Sequence, residues 1–539
     1  MQYKPWLNKN SYIIIILSVC ALFIPIILTE YGVIKFTGGI FSYPLDDTYI
    51  HMSIAKNLAQ NNTWGINAQQ FSAASSSILY SLLLAVLVKV FSANILIPFI
   101  LNAITAIILL IVVQQRLHKE NVSFASQLII LLLVIFFTPL PALVISGMEH
   151  TLQCLFSFLF LFNFNDWWND NKNPPQKKIP LSMYINGVLV CTIRYEGLFL
   201  VAIVCCILLF NKKIISAFVL GFISLLPIII FGIYSVSKGS YFFPNSVLLK
   251  ATPVEISSNG AVSFISNILI DKLTLFKNGI TSLATQRLLL ILPLTYLMFK
   301  KFLADKNSYA QIILVLTVCT LLQLSFASTG WFYRYEAYLV LCSVVIISLI
   351  VYKYAKPFIS SINKKVYPAI IFVFLILIFP LVLRSAAAYT KAKQACINIY
   401  EQQNQMGNFI KKYYDTDTVA VNDIGAVSYF KQNGVVDLWG LADIDVAKSK
   451  RNNYSTPAFL YNLANKKDVK LAVVYDSWFD SSLLKKWQKV ATWQIKNNVI
   501  CGDSIVSFYA VKNNIASALK TNLEDYQKLL PADVNVKYY

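Results

Sequence analysis

Two adjacent carboxylates, Asp46 and Asp47, follow shortly after the first long apolar segment of the sequence. A charged side chain is costly to place at a membrane, so a pair at the edge of an apolar run indicates a function. A single Asp would be explained as a helix N-cap, but two in succession fit that role less well. Pro44 ends the apolar segment, and a short helix is predicted over residues 50–60. Carboxylates in such a place are suited to deprotonating a hydroxyl group.

Further polar motifs stand beside later apolar runs. They occupy residues 71–77, 146–150, 194–197, 241–250, 331–336, 422–426 and 437–441. Their arginines and lysine suit a phosphate, because Arg presents a planar fork of donors and Lys a point charge. Each motif also has a structural explanation, since aromatic and basic residues anchor span ends and a Glu stabilises a helix N-terminus. Together, however, the motifs predict group transfer from a lipid phosphate to a hydroxyl.

The composition is that of a polytopic membrane protein. The 539 residues are 57% hydrophobic and 13% charged, and runs of about twenty apolar residues recur, as bilayer spans require. The net charge of +20 is explained by basic cytoplasmic loops, so membrane lipids and not nucleic acid are the expected partners. Three histidines without paired spacing do not predict a His-based metal site.

The apolar runs predict about eleven transmembrane helices. They lie near residues 12–28, 94–113, 123–138, 150–164, 181–193, 197–210, 214–235, 287–299, 309–327, 336–352 and 366–383. A further apolar run at residues 75–91 has two possible placements. It either spans the membrane, which moves every later loop to the opposite side, or it lies in the outer interface or re-enters. The second layout keeps the basic loops inside, as the positive-inside rule favours, and places the acidic motif outside. Several runs are shorter than a full span, which predicts helices that line a groove.

Two domains are predicted. Residues 1–384 form the membrane domain, with an outer loop at residues 30–93 that carries the acidic motif. Residues 385–539 form a soluble α/β domain, with strands near residues 418–422, 435–438 and 471–475 and a helix at residues 425–432. This domain has no nucleotide-binding motif.

The ordered motifs resemble the GT-C superfamily of integral-membrane glycosyltransferases, and within it the bacterial arabinofuranosyltransferase (AftB-like) branch. The matching pieces are Leu45-Asp-Asp-Thr-Tyr-Ile50, Ser75-Ser-Ser-Ile-Leu-Tyr80, Ser146-Gly-Met-Glu149, Arg194-Tyr-Glu-Gly197, Pro244-Asn-Ser246 with Lys250, Asp423-Ile-Gly425 and Asp437-Leu-Trp-Gly440-Leu441. They follow the family order across most of the chain. Tyr195 departs from the pattern, because relatives commonly have Pro there.

The resemblance implies an inverting enzyme of a bacterial inner membrane, with its site and C-terminal domain on the external side. The donor would be a polyprenyl-phosphate sugar and the acceptor a hydroxyl of an envelope glycan, lipid or protein. Asp46 or Asp47 would be the general base and Glu149 the second acidic residue. The donor and its phosphate would be held by Arg194, Lys250, Arg334, Tyr49 and Asn245, and the acceptor or the site supported by His51, Glu196, His150 and Ser76.

Metal dependence is left open by the resemblance, since some members use a divalent cation and others do not. An Mg²⁺ or Mn²⁺ ion would have Asp46, Asp47 and Glu149 as its ligands.

Two other functions compete with glycosyl transfer. A transporter or flippase of lipid-linked sugars would also have charged groups along its path, but it predicts inverted repeats, which the sequence lacks. A non-catalytic assembly or receptor subunit would leave the clustered carboxylates without an explanation.

Overall fold

A computed structural model describes residues 9–170, 178–248, 309–361, 367–431 and 433–539. A mostly helical part rich in apolar helices precedes a C-terminal domain built on a six-stranded sheet. The predicted architecture, a polytopic helical protein with a C-terminal α/β domain, is confirmed. The predicted span at residues 287–299 lies outside the described residues.

Each apolar run that falls within the described residues lies on a helix. The helices up to the C-terminal domain are α1 (Lys9–Thr37), α2 (Asp46–Asn61), α3 (Ile78–Phe91), α4 (Ile97–Lys119), α5 (Phe124–Phe137), α6 (Leu140–Ser146), α7 (His150–Asp170), α8 (Leu181–Ile193), α9 (Gly197–Phe210), α10 (Ile214–Ser237), α11 (Asn245–Leu248), α12 (Ala310–Phe326), α13 (Ala337–Ser361) and α14 (Tyr367–Ile399). As predicted, the motif at residues 194–197 separates two short helices, α8 and α9.

Within the described ranges, fewer helices than the predicted eleven are long and apolar enough to cross a membrane by themselves. Among the described residues, four are long and apolar enough, or five if α5 and α6, bent by 47°, form one span. Helices α3, α8, α9 and α12 are shorter. At 1.5 Å per residue they extend about 20–26 Å, less than the ~30 Å hydrocarbon core. Part of the difference arises because α8, α9 and α12, three of the predicted spans, are shorter than a full span.

The C-terminal sheet combines a parallel half with an antiparallel half. Its strands are β1 (Thr418–Val421), β2 (Val435–Asp437), β3 (Val469–Val474), β4 (Gln488–Gln494), β5 (Ile505–Ala510) and β6 (Asn535–Tyr538), in the order β2-β1-β3-β5-β4-β6. Strands β1, β2 and β3 are parallel, whereas β3, β5, β4 and β6 pair antiparallel. The three predicted strands are β1, β2 and β3.

Six helices complete this domain. They are α15 (Gln405–Tyr413), α16 (Gly425–Phe430), α17 (Ile444–Arg451), α18 (Pro457–Lys466), α19 (Ser481–Leu484) and α20 (Ala516–Gln527). The predicted helix at residues 425–432 corresponds to α16. Because the carboxyl ends of parallel strands meet at one sheet edge, the residues after β1 and β2 lie close together, where α/β proteins bind ligands.

Helix α14 and a following π-helical turn join the two parts of the chain. The helix passes the predicted domain boundary at residue 384 and continues through Tyr400–Asn404 into α15. π-Helical turns of this kind are frequent at functional sites. On the other side, the Ser53 hydroxyl of α2 donates to the Ser428 carbonyl of α16 at 3.1 Å. The C-terminal domain therefore sits directly over the helix that carries the acidic motif.

Candidate active site

Helix α2 begins at Asp46, four residues before the predicted start, so both carboxylates lie in its first turn. Leu45 at the preceding position is extended, with φ −141° and ψ 132°. Acidic residues in a first turn are stabilised by the unpaired N–H groups and the helix dipole. The two side chains then diverge, and each meets a different partner.

Asp46 binds the C-terminal domain. Its Oδ2 accepts from the Gly425 N–H at 2.7 Å and its Oδ1 from the Ala426 N–H at 2.8 Å. Asp423 lies beside it and accepts from the Tyr475 hydroxyl at 2.6 Å and the Gln403 amide at 2.9 Å. Burial, and then the repulsion between the two carboxylates, raises the pKa of Asp46, while burial raises the pKa of Asp423.

Asp47 forms an ion pair with the Arg334 guanidinium and keeps 31% of its side chain exposed, whereas Arg334 is 1% exposed. The guanidinium also lies over the Tyr335 ring, 5.0 Å from its centroid. Among the described residues, Nε and Nη1 of Arg334 have no hydrogen-bond partner. Two buried donors left without an acceptor are costly, so this guanidinium is suited to an anion.

The loop that carries Arg334 is strained and firmly held. Phe332 and Tyr333 have φ values of +50° and +59°, which bulky residues rarely adopt. Arg384 donates to the Tyr333 carbonyl at 2.6 Å and to Glu336 Oε1 at 3.0 Å. Strain of this kind persists only where the surroundings impose it, typically at functional sites.

Five predicted site residues form a second network around Glu149. Glu149 is fully buried, and its Oε1 accepts from Arg194 at 2.8 Å and from the Ser76 hydroxyl at 3.0 Å. His51 Nε2 lies 3.5 Å from Oε2. Arg194 also donates through Nε to Glu196 at 3.0 Å. One guanidinium therefore faces two carboxylates, so its charge is already balanced within the protein.

Gly147 lets the segment that carries Asp46 and Asp47 pack closely against the segment that carries Glu149. Its φ is +64°, and a Cβ there would lie 2.4 Å from the Tyr43 ring and 2.7 Å from the Thr48 methyl. The Thr48 hydroxyl donates to the Ser146 carbonyl at 2.6 Å. Only glycine fits both the backbone conformation and the space.

Two adjoining cavities contain these groups. The central cavity, of about 480 Å³, is lined by Asp46, Asp47, Gln403, Asp423, Trp439 and Trp478, among others. The apolar cavity, of about 310 Å³, is lined by Arg194, Leu198, Phe199, Phe243, Val247 and Phe326, among others. Ser328 and Tyr335 line both, so an apolar chamber opens beside the carboxylates.

Three predicted donor or support residues lie elsewhere. Tyr49 is buried away from both cavities, where its hydroxyl accepts from the Tyr43 N–H at 3.3 Å and the Asn404 amide at 3.2 Å. Asn245 is buried, with its N–H on the Ala73 carbonyl at 2.9 Å. His150 is buried with its ring centroid 5.9 Å from that of Tyr335. Lys250 lies outside the described residues.

The carboxylates suggested as metal ligands do not converge. Asp46 binds backbone N–H groups, Asp47 binds Arg334 and Glu149 binds Arg194. Within the described part of the chain, no cluster of three His, Cys, Asp or Glu side chains could hold a metal ion. The suggested Mg²⁺ or Mn²⁺ ligand set therefore does not fit this structure.

Several residues that line the central cavity had no predicted role. Asp423 stands in a recognised motif, and its place after β1 is the signal that could have assigned it. Gln403 comes from the π-helical turn, which no sequence periodicity indicates. Trp439 and Trp478 come from separate loops, and only the fold brings them together, with ring centroids 4.5 Å apart.

Residues 397–509 match a family described as a domain of unknown function (DUF8728). No curated protein sequence matches the chain. Similar solved structures include ArnT from Cupriavidus metallidurans bound to undecaprenyl phosphate, with 10% identity and a TM-score of 0.49 over 94% of this chain and 99% of that one. The archaeal oligosaccharyltransferase AglB from Archaeoglobus fulgidus, in complex with an inhibitory peptide and a dolichol-phosphate, has 12% identity and a TM-score of 0.45 over 94% and 74%. At these scores, the likenesses do not by themselves assign a family or an activity to the chain.

Proposed function

We propose that the chain is a GT-C-type membrane glycosyltransferase. It moves a sugar from a polyprenyl-phosphate donor to a hydroxyl of an envelope glycan, lipid or protein acceptor, with inversion at the anomeric carbon. The observation that carries the proposal is the Asp47–Arg334 pair, in which a carboxylate that lines the central cavity contacts a buried guanidinium with two unpaired donors among the described residues.

Asp47 is the general base in this proposal, and Asp46 is a positioning residue. Both oxygens of Asp46 already accept backbone N–H groups of α16. Asp47 is a third exposed and faces the central cavity beside the Arg334 guanidinium. An acceptor hydroxyl is a poor nucleophile at neutral pH and needs such a carboxylate to take its proton.

Arg334 is a better phosphate ligand than Arg194, because fewer of its hydrogen-bond donors already have partners within the protein. Arg194 is shared by Glu149 and Glu196, so the charge around it is already balanced. Arg334 faces one carboxylate and retains two unpaired donors among the described residues. A planar fork of that kind binds phosphate oxygens in a bidentate manner.

The apolar cavity is suited to the lipid end of the donor. Phe199, Phe243 and Phe326 line it, and Tyr335 separates it from Asp47. The Tyr335 ring lies 5.0 Å from the Arg334 guanidinium and 5.4 Å from that of Arg194. A prenyl chain in this cavity would therefore leave its phosphate near Tyr335, beside the two guanidiniums, and its sugar in the central cavity. The unpaired donors favour Arg334 as the ligand of that phosphate.

The reaction follows from this placement. The acceptor oxygen attacks the anomeric carbon from the face opposite the phosphate while its proton passes to Asp47. The bond between the anomeric carbon and the phosphate oxygen breaks, and the polyprenyl phosphate leaves with the electron pair. Arg334 stabilises the charge that develops on that oxygen, as preorganised cations do in phosphate chemistry.

The membrane orientation is part of the proposal. We place the protein in a bacterial inner membrane as a multi-pass protein, with the central cavity and C-terminal domain on the external side, because that layout keeps the basic loops inside. External acceptors would then reach the cavity without crossing the bilayer.

The direct test is a transfer assay with the purified full chain in lipid nanodiscs and a radiolabelled polyprenyl-phosphate sugar. We expect labelled acceptor and free polyprenyl phosphate in equal amounts, with the opposite anomeric configuration in the product. Asp445→Asn, at an exposed position of α17, serves as the charge-matched control and should keep full activity. Movement of the intact donor across a vesicle membrane, without release of polyprenyl phosphate, would overturn the proposal and favour a flippase.

A further inference from the structure

A third cavity, of about 260 Å³, lies in the C-terminal domain. It is lined by Trp439, Lys450, Ser455, Leu460, Trp478 and Asp480, among others. Trp439 and Trp478 also line the central cavity, so the two spaces adjoin across this pair of rings. We call this cavity, bounded by Trp439, Trp478 and Lys450, the tryptophan cleft.

The tryptophan cleft has aromatic walls of the kind that sugar rings contact. The two Trp ring centroids are 4.5 Å apart with a 45° angle between their planes, and both side chains are partly exposed. The C–H groups on one face of a pyranose ring pack favourably on an indole face, whose quadrupole is negative. Pockets that combine aromatic walls with a few placed polar groups are typical ligand sites.

Lys450 gives the tryptophan cleft a positive charge for which the described residues provide no ion-pair partner. Its Nζ lies 3.2 Å from the Trp439 ring centroid, and in the described part of the chain no carboxylate or other hydrogen-bond acceptor contacts it. The nearby Asp437 carboxylate accepts from the N–H groups of Trp439 and Ala442, each at 2.7 Å. Burial lowers the pKa of Lys450 to about 8. An anionic ligand would stabilise this half-buried ammonium group.

The other charged group of the cleft does not compensate Lys450. Asp480 lies on the exposed rim, where its Oδ1 accepts from the Ser482 N–H at 2.7 Å as a helix cap. The cleft therefore has a partly desolvated cation, Lys450, inside it and a carboxylate, Asp480, at its entrance that already accepts a hydrogen bond.

We infer that the tryptophan cleft is a subsite for an anionic sugar residue of the acceptor, with Trp439 and Trp478 against the ring and Lys450 on its carboxylate or phosphate. The inference rests on the proposed function, since it assigns the acceptor side of that site. The three cavities then lie in series: the lipid of the donor in the apolar cavity, the reacting centre in the central cavity and the acceptor in the tryptophan cleft.

Binding without any donor tests the subsite independently of catalysis. The probes are a glucuronate-containing disaccharide, glucose 6-phosphate and the uncharged disaccharide, titrated calorimetrically into the full chain in nanodiscs. We expect at least one anionic probe to bind, and the uncharged disaccharide to bind at least tenfold more weakly. The Lys450→Gln variant should lose about tenfold in affinity, as expected for one charged hydrogen bond, and Lys450→Arg should restore it.

Controls keep the result interpretable. Lys485→Gln removes an exposed charge next to α19 and should bind like the wild type. Ser455→Phe should block the cleft from its rim and abolish binding, which provides a second variant if Lys450→Gln unfolds early. Equal affinity for charged and uncharged probes, unchanged binding in folded Lys450→Gln, or no saturable binding of any probe would overturn the inference. Binding with this pattern in a chain that transfers no sugar would leave the subsite standing and refute only the proposed function.

Discussion

Replacement of Gly147 by Ala tests whether the segment around Asp46 and Asp47 packs rigidly against the segment that carries Glu149. The φ of +64° alone costs an L-residue about 1–2 kcal/mol. The new Cβ would also lie 2.4 Å from the Tyr43 ring and 2.7 Å from the Thr48 methyl. Overpacking of this kind adds about 1–3 kcal/mol, so we expect a loss of about 2–5 kcal/mol in total.

A matched control separates the two contributions. Gly38 has a φ of +69° but no atom within 4 Å of its would-be Cβ, so Gly38→Ala should lose only the backbone cost. Thermal unfolding in nanodiscs should therefore give a lower Tm for Gly147→Ala than for Gly38→Ala. Because Thr48 follows Asp47 directly, transfer activity should also fall in the folded Gly147→Ala protein alone. Equal Tm values for the two variants would refute the close packing at Gly147.

Two further predictions concern the charged groups of the central cavity. Arg334→Lys keeps the charge but loses the planar fork, and the loss of one charged hydrogen bond should lower kcat/KM by about 10- to 150-fold. The control Arg451→Lys, at an exposed arginine over the Tyr241 ring, should leave kcat/KM unchanged. Near-normal kinetics of Arg334→Lys would mean that the phosphate is bound elsewhere. Burial raises the pKa of Asp46 from 3.8 to about 8, so the native state binds more protons than the unfolded chain and stability should fall as pH rises from about 4 to about 8. Asp423→Asn removes one of the two repelling charges and should make the fall in Tm smaller over that pH range. An unchanged slope of Tm against pH would contradict the repulsion between Asp46 and Asp423.

The sequence could predict the elements that have a strong periodic signal. Long apolar runs indicate helices, and the β-branched runs that became β1, β2 and β3 indicate strands of an α/β domain. The antiparallel strands β4, β5 and β6 were not predicted. Strands β4 and β6 mix polar and apolar residues without a clear bounding signal. Strand β5 is rich in β-branched and aromatic residues, a signal that could have identified it. Whether a short apolar helix such as α3 spans depends on tertiary packing, which no single run encodes.

The candidate site was predictable in its charges but not in its pairings. Adjacent carboxylates and the motif arginines indicated phosphate and hydroxyl chemistry. The sequence could not tell Asp46 from Asp47, because their difference arises from partners that lie far away in the chain, at residues 425–426 and 334. Tyr49 lies beside the motif in the sequence, but its side chain is buried with its hydroxyl on the Tyr43 N–H and the Asn404 amide, contacts that no sequence pattern indicates.

The most direct test of the central claim is the single-turnover rate of sugar transfer by Asp47→Asn. Asn keeps the size of the side chain but cannot take the proton of the acceptor hydroxyl, so we expect a loss of about 10²- to 10⁴-fold with unchanged donor binding. The Tm should fall, because the buried Arg334 guanidinium loses its charged partner, so the rate is measured at a temperature where the variant is folded. Asp445→Asn, measured alongside, should transfer at the rate of the wild type. A folded Asp47→Asn protein that transfers sugar at a near-normal rate would contradict the assignment of Asp47 as the base.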